Sequence, residues 1–111
     1  MDGPDLAVAR RLKDLVLQAN GEQVRKIILF GSRARGDARP DSDFDLLVVV
    51  TGSTPEETAS YRASLFRAFR GSGVVVEPWV MAEEEFEETK SVIGGLAYPA
   101  SKEGVVLYEK P

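Results

Sequence analysis

Five consecutive apolar residues, Leu46-Leu47-Val48-Val49-Val50, constrain this chain more than any other feature. They form the apolar end of a strand that is predicted over 43–50 and opens on two carboxylates, Asp43 and Asp45. Side chains two apart on a strand leave the same face, with α-carbons about 6–7 Å apart. Phe44 and Leu46 therefore face the other way. Bringing the two charges to about 4 Å at an effective dielectric of about 20 costs about 4 kcal/mol. Either both groups stay in water, or a divalent cation sits between them. For an isolated D-x-D the solvated turn is the ordinary outcome, so the pair must be weighed with its surroundings.

Elements of the expected fold can be read along the rest of the chain. Val8, Leu12, Leu15, Val16 and Ala19 fall at helical spacing after Pro4, and Asn20-Gly21 closes the pattern. Lys26 to Phe30 is a short apolar run ending at Gly31, a buried strand. Residues 31–42, GSRARGDARPDS, make a turn-rich loop with a helical turn near Ser32. Thr54-Pro55-Glu56-Glu57 has the form of a capping box with proline at the first helical position. The helix it opens turns Tyr61, Leu65, Ala68 and Phe69 inward and stops at Gly71. A third strand is expected over 74–81, a short acidic helix over 82–90, a helical turn after Pro99, and a last strand over 105–108. Strands separated by helices give an α/β fold, a small mixed β-sheet backed by helices on one face. Its 111 residues suffice for a single domain, 1–111.

Composition narrows the chemistry. The chain has no histidine and no cysteine, which removes thiol and imidazole catalysis, Cys/His zinc sites and disulfides. Carboxylates, hydroxyls, lysine, arginine, backbone amides and a hard, oxygen-bound metal are what is left. Fourteen basic against eighteen acidic residues, net −4, argue against direct nucleic-acid binding. No apolar run suits a signal peptide or a membrane span, so a cytoplasmic location is expected and no membrane association.

The stretch preceding the aspartates changes the balance. Gly31 permits close approach of the backbone to an oxyanion, serine is a preferred helix N-cap, and a helix N-terminus offers free N–H donors. The second glycine, Gly36, is followed by Asp37, which rules out a Walker loop. Phosphate donors joined to a two-carboxylate mouth by about ten residues suggest a metal–triphosphate site.

Gly31-Ser32-Arg33-Ala34-Arg35-Gly36 followed by Ser42-Asp43-Phe44-Asp45-Leu46 resembles the GSxxxG…SDxDL signature of the nucleotidyltransferase superfamily related to DNA polymerase beta. The short chain is similar to the minimal nucleotidyltransferases, the MntA-type antitoxins. VVVEPWVMAEEEF resembles that family's later strand and acidic helix, and KEGVVLYEK its tail. The resemblance implies the polymerase-beta palm-like fold and a third carboxylate, which by position is Glu77. Glutamate in place of the commoner aspartate and the adjacent Pro78 both depart from the pattern, and a lone edge glutamate is the competing reading.

It further implies that Asp43, Asp45 and Glu77 are the catalytic, Mg²⁺-binding residues of a two-metal site. Gly31, Ser32 and Arg33, with the two aspartates, are then the nucleotide-binding set. Glu77 would complete the second metal site and help deprotonate the acceptor. The substrate is then ATP, and the reaction transfers AMP to a hydroxyl, a tyrosine on a partner HEPN-type toxin, with pyrophosphate leaving. The alternative is a non-catalytic antitoxin that neutralises its partner by complex formation. Hetero-association is expected, with homodimerisation also open. Arg33, Arg35 and Arg39 suit either triphosphate charge or a solvated loop, and Arg33 is the contact selected. The glutamates of 83–88 read as a solvated helix face, and Trp79 and Phe86 as packing residues.

Overall fold

The computed structural model describes residues 3–111; Met1 and Asp2 of the expected domain lie outside the described residues. The order is α1 (Gly3–Asn20), β1 (Val24–Phe30), α2 (Ser32–Arg35), β2 (Phe44–Val50), α3 (Pro55–Ala68), β3 (Val76–Ala82), α4 (Glu83–Thr89), α5 (Ala97–Glu103) and β4 (Val105–Glu109). Four strands form one mixed sheet in the order β3-β2-β1-β4. β1 runs antiparallel to β2 and β4, whereas β2 and β3 are parallel and joined by the crossover helix α3.

The apolar run of β2 is explained by its place. It has a neighbour on either side, and residues 46–50 are all buried. Leu46, Val48 and Val50 pack with Ile27 and Leu29 under Leu12 and Val16 of α1 and Tyr61 and Leu65 of α3. The long helices α1 and α3 thus back one face, as expected, while the short α4 and α5 cover the other, which the expectation of helices on one face left out. Leu47 and Val49 point the other way, where Ile28, Phe30 and Met81 meet Phe86 of α4 and Ala97 and Ala100 of α5. The acidic side chains of Glu84, Glu85, Glu87 and Glu88 stay in water while Phe86 is buried, so α4 behaves as an amphipathic cover.

Thr54 carries out the capping read from sequence. Its Oγ1 accepts from the Glu57 amide at 3.2 Å, and its own amide donates to Glu57 Oε1 at 2.9 Å. Thr54→Ala is expected to lower stability by about 1 kcal/mol in urea denaturation while leaving the site at the far end of the sheet undisturbed.

β3 is a sheet edge, and that accommodates Pro78. The Pro78 carbonyl accepts from Arg62 Nε at 2.6 Å. It therefore points outward, and the nitrogen of the same residue points outward with it. The missing N–H therefore costs no ladder bond, as an edge strand allows. Together, proline and the guanidinium cover an edge that would otherwise be open to strand pairing.

Candidate active site

The two aspartates do not share one strand. Asp43 lies in the loop just before β2 and is exposed; Asp45 is the second residue of β2 and half-buried. Since Leu47 and Val49 share its face, Asp45 leaves the sheet on the side of α4 and α5. Its partner in the parallel ladder is Glu77. Adjacent strands place such partners about 4.8 Å apart with side chains on the same face. Strand pairing therefore brings Glu77 beside Asp45, across an interval of sequence that contains all of α3.

Electrostatics link the three carboxylates. Burial is the main cause that pushes the Asp45 carboxyl above its ordinary range, followed by repulsion from Asp43 and from Glu77; Arg35 partly offsets these. Repulsion of this kind favours either a proton or a cation in the pocket. Among the described residues, however, no three such groups stand close enough together to hold a metal ion as they are. One reason is visible: Glu77 Oε2 accepts from Arg62 Nη2 at 3.1 Å.

Gly31 closes one wall. It ends β1 opposite the carboxylates with φ 77° and ψ −160°, a combination essentially restricted to glycine. A Cβ built at Gly31 would run into Asp45 Oδ2. Glycine is thus required twice, by backbone conformation and by its close approach to the carboxylate. The donor type suits a hard divalent cation, carboxylate oxygens beside a backbone with no side chain in the way, although among the described residues they do not converge on one point.

Ser32 does not cap α2, as the sequence suggested. Gly31 is the N-cap, without a side-chain capping bond, and Ser32 is the first residue of the turn. The first helical bonds run from the amides of Ala34 and Arg35 to Gly31 O, at 3.1 and 3.0 Å. The amides of Ser32 and Arg33 precede them, where a helix leaves its donors open.

Arg33 is employed differently from the phosphate contact expected of it. Nε and Nη2 donate to Ser42 O at 3.2 and 2.9 Å, Nη2 also to Pro40 O at 3.2 Å, and Nη1 to Asp5 Oδ1 at 3.1 Å. The guanidinium also stacks 4.5 Å from the Phe44 ring centre, and its side chain is 13% exposed. It clamps the loop before β2 and thereby places Asp43. Arg35 is the cation whose charge reaches Asp45, and its own partners, Asp37 at 3.3 Å and Glu103 at 3.5 Å, are long and exposed. Arg39 is exposed.

Trp79 packs with the cluster around Phe86 and stacks on Arg62, whose guanidinium carbon lies 4.3 Å from its ring centre. Arg62 is the residue sequence reasoning missed. No spacing rule connects positions 62 and 77; only the parallel pairing of β3 at the sheet edge does.

The model of the nucleotidyltransferase domain family matches residues 9–100. A search of curated proteins found no match. Among solved structures, a Sulfolobus solfataricus protein assigned as a nucleotidyltransferase superposes with a TM-score of 0.64 at 25% identity, over 95% of this chain and 80% of that one. A toxin–antitoxin crystallised with AMP-PNP superposes with a TM-score of 0.59 at 18% identity. A mutant of the MntA–HpeT toxin–antitoxin gives 0.58 at 16%. Both of these comparisons cover 91% of this chain and 73% of the other.

Proposed function

Because the chain belongs to the nucleotidyltransferase domain family, we propose that it transfers AMP from ATP to a hydroxyl acceptor, a tyrosine of a partner HEPN-type toxin. The observation that carries this reading is the bare Gly31 backbone held against Asp45, in a pocket where Asp43 and Glu77 already repel that carboxylate. Mutually repelling carboxylates beside a bare backbone suit a cation accompanied by phosphate. Support for an adenine nucleotide and a toxin partner comes from the toxin–antitoxin structures that share the fold, one of them obtained with AMP-PNP.

In this reading Asp43 and Asp45 hold Mg²⁺, and Glu77 completes the acidic set. When bound, a divalent metal would neutralise charge on the triphosphate; the acceptor oxygen forms its bond to the α-phosphorus as the bond to the departing pyrophosphate breaks. Gly31 gives the phosphates room, the Ser32 hydroxyl and the amides of Ser32 and Arg33 donate to them, and Arg35 replaces Arg33 as the cation facing them. With no imidazole in the chain, a carboxylate of this set draws the proton from the acceptor hydroxyl.

The test mixes the protein with Mg²⁺, α-labelled ATP and the partner toxin. Label is expected on the toxin, and Asp43→Ala is expected to abolish its transfer. The second reading, neutralisation by complex formation with an idle site, draws support from the Arg62–Glu77 ion pair, which keeps one carboxylate engaged. Full neutralisation by Asp43→Ala would favour it.

A further inference from the structure

Residues 35–43 lead to Asp43, yet none of them is buried. A cavity of about 170 Å³ lies where Pro40 and Ser42 face Val74 and Val75, so apolar packing does not fix the loop from that side. Arg33 holds it instead. Nε and Nη2 of its guanidinium donate to the carbonyls of Ser42 and Pro40, and Nη1 donates to Asp5 Oδ1 at 3.1 Å. Asp5 belongs to the first turn of α1. It stands 28 positions before Arg33 and precedes residues 9–100, which the family model matches. An acid in the first turn of a helix is ordinarily explained by the helix dipole alone. Here it also reaches the loop that carries a signature aspartate.

The Arg33 side chain is only 13% exposed, and a guanidinium keeps its proton in any protein environment. Carbonyl oxygens orient such a cation but do not balance its charge. The Phe44 ring, 4.5 Å away, offers a π-face and no full charge either. Asp5 is the carboxylate that pairs with it. Without that partner a mostly buried cation is poorly compensated, and water becomes the better host. A guanidinium that turns outward gives up Ser42 and Pro40, and Asp43 is the next residue of the chain. We propose that Asp5 is a positioning residue of the nucleotide site: by neutralising Arg33 it keeps the guanidinium on the loop and so fixes where Asp43 stands. This rests on the reading that Asp43 serves the nucleotide. Asp5 acts through Arg33, from outside the signature and from another layer of the fold.

Two measurements on the full chain test this. The first is amide hydrogen exchange over residues 39–44, where the amides of Ser42 and Phe44 donate to Arg39 O and Val75 O. Read without nucleotide or partner, it is expected to speed up about tenfold in Asp5→Ala. The second is label transfer at saturating ATP, whose kcat is expected to fall about tenfold, within the range that a displaced group far from the chemistry produces. Asp5→Asn keeps the shape and one acceptor oxygen without the charge. It should fall between, and it carries both measurements if Asp5→Ala does not fold. Glu56→Ala removes a first-turn acid of α3 and should change neither. In an Arg33→Met background, Asp5→Ala should cost nothing further, which a merely structural effect would not reproduce. Unchanged exchange in Asp5→Ala overturns the proposal, as do equal losses of kcat with and without Arg33. So does an unchanged kcat in Asp5→Ala when Asp43→Ala abolishes transfer. If Asp43→Ala itself transfers label at the wild-type rate while Asp5→Ala still loosens the loop, the underlying reading of the site is what fails.

Discussion

Asp45→Asn is expected to yield a protein that melts at a higher temperature than the wild type and no longer transfers nucleotide. The stabilising half follows from the environment of Asp45. The carboxylate is half-buried and feels Asp43 and Glu77, with Arg35 partly offsetting them. Its proton affinity is therefore above the ordinary value, which means that its ionised form destabilises the metal-free fold at neutral pH. Asparagine keeps the shape and removes the charge. After allowance for solvent screening of a half-exposed group, the gain is about 1 kcal/mol, or about 4 °C in Tm.

The sign of the pH dependence follows. A carboxyl whose folded pKa exceeds its unfolded value lowers stability above the folded pKa, and that penalty disappears as pH falls through it. The advantage of Asp45→Asn should thus be present at pH 7 and shrink on acidification toward the carboxylate range. If Asp45 serves as proposed, catalysis is expected to fall about 10³-fold or more, because the lost charge would act directly on the reacting phosphates and their metal. Added Mg²⁺ with ATP should raise the Tm of the wild type by mass action and leave the variant's nearly unmoved. A variant less stable than the wild type without metal would show that the three carboxylates do not repel one another as argued.

How far the sequence revealed this arrangement depends on what each residue needs from the fold. The apolar run of β2 and the Thr54 capping box are local statements, and both appear in the structure. The α5 helix was legible only in part: it begins at Ala97, with Pro99 in its first turn, where a missing N–H costs nothing. Glu77 could be singled out by resemblance, but its place beside Asp45 depends on β2–β3 pairing, which no local pattern states. Pro78 departs from the family pattern, but which side its nitrogen faces is set by the edge position of β3. Arg33 and Arg35 sit in one motif with opposite duties, since in a one-turn helix two positions differ by about 200° around the axis. One faces the Ser42 loop and the other acts on Asp45. Sequence supplies the residue types of such a site; pairing across the sheet edge decides which of them meet.

Gly31→Ala offers the sharpest test of the close approach. Alanine there must enter a backbone region that costs about 1–3 kcal/mol for a residue with a side chain. In addition, its Cβ collides with Asp45 Oδ2, so the carboxylate must leave its present position against the backbone. Either the carboxylate rotates away or the β1–α2 corner lifts off the sheet. The expected loss is about 2–4 kcal/mol in denaturant unfolding, with nucleotide transfer down about 10²-fold in whatever protein remains folded. Gly36 provides the control within the same loop. It also has positive φ, 88°, but a Cβ there meets nothing within 4 Å. Gly36→Ala should cost about 1 kcal/mol from backbone strain alone and leave transfer near the wild-type rate. If Gly31→Ala matched Gly36→Ala in both stability and activity, contact with Asp45 would be incidental, and the wall of the phosphate pocket would have to be sought elsewhere.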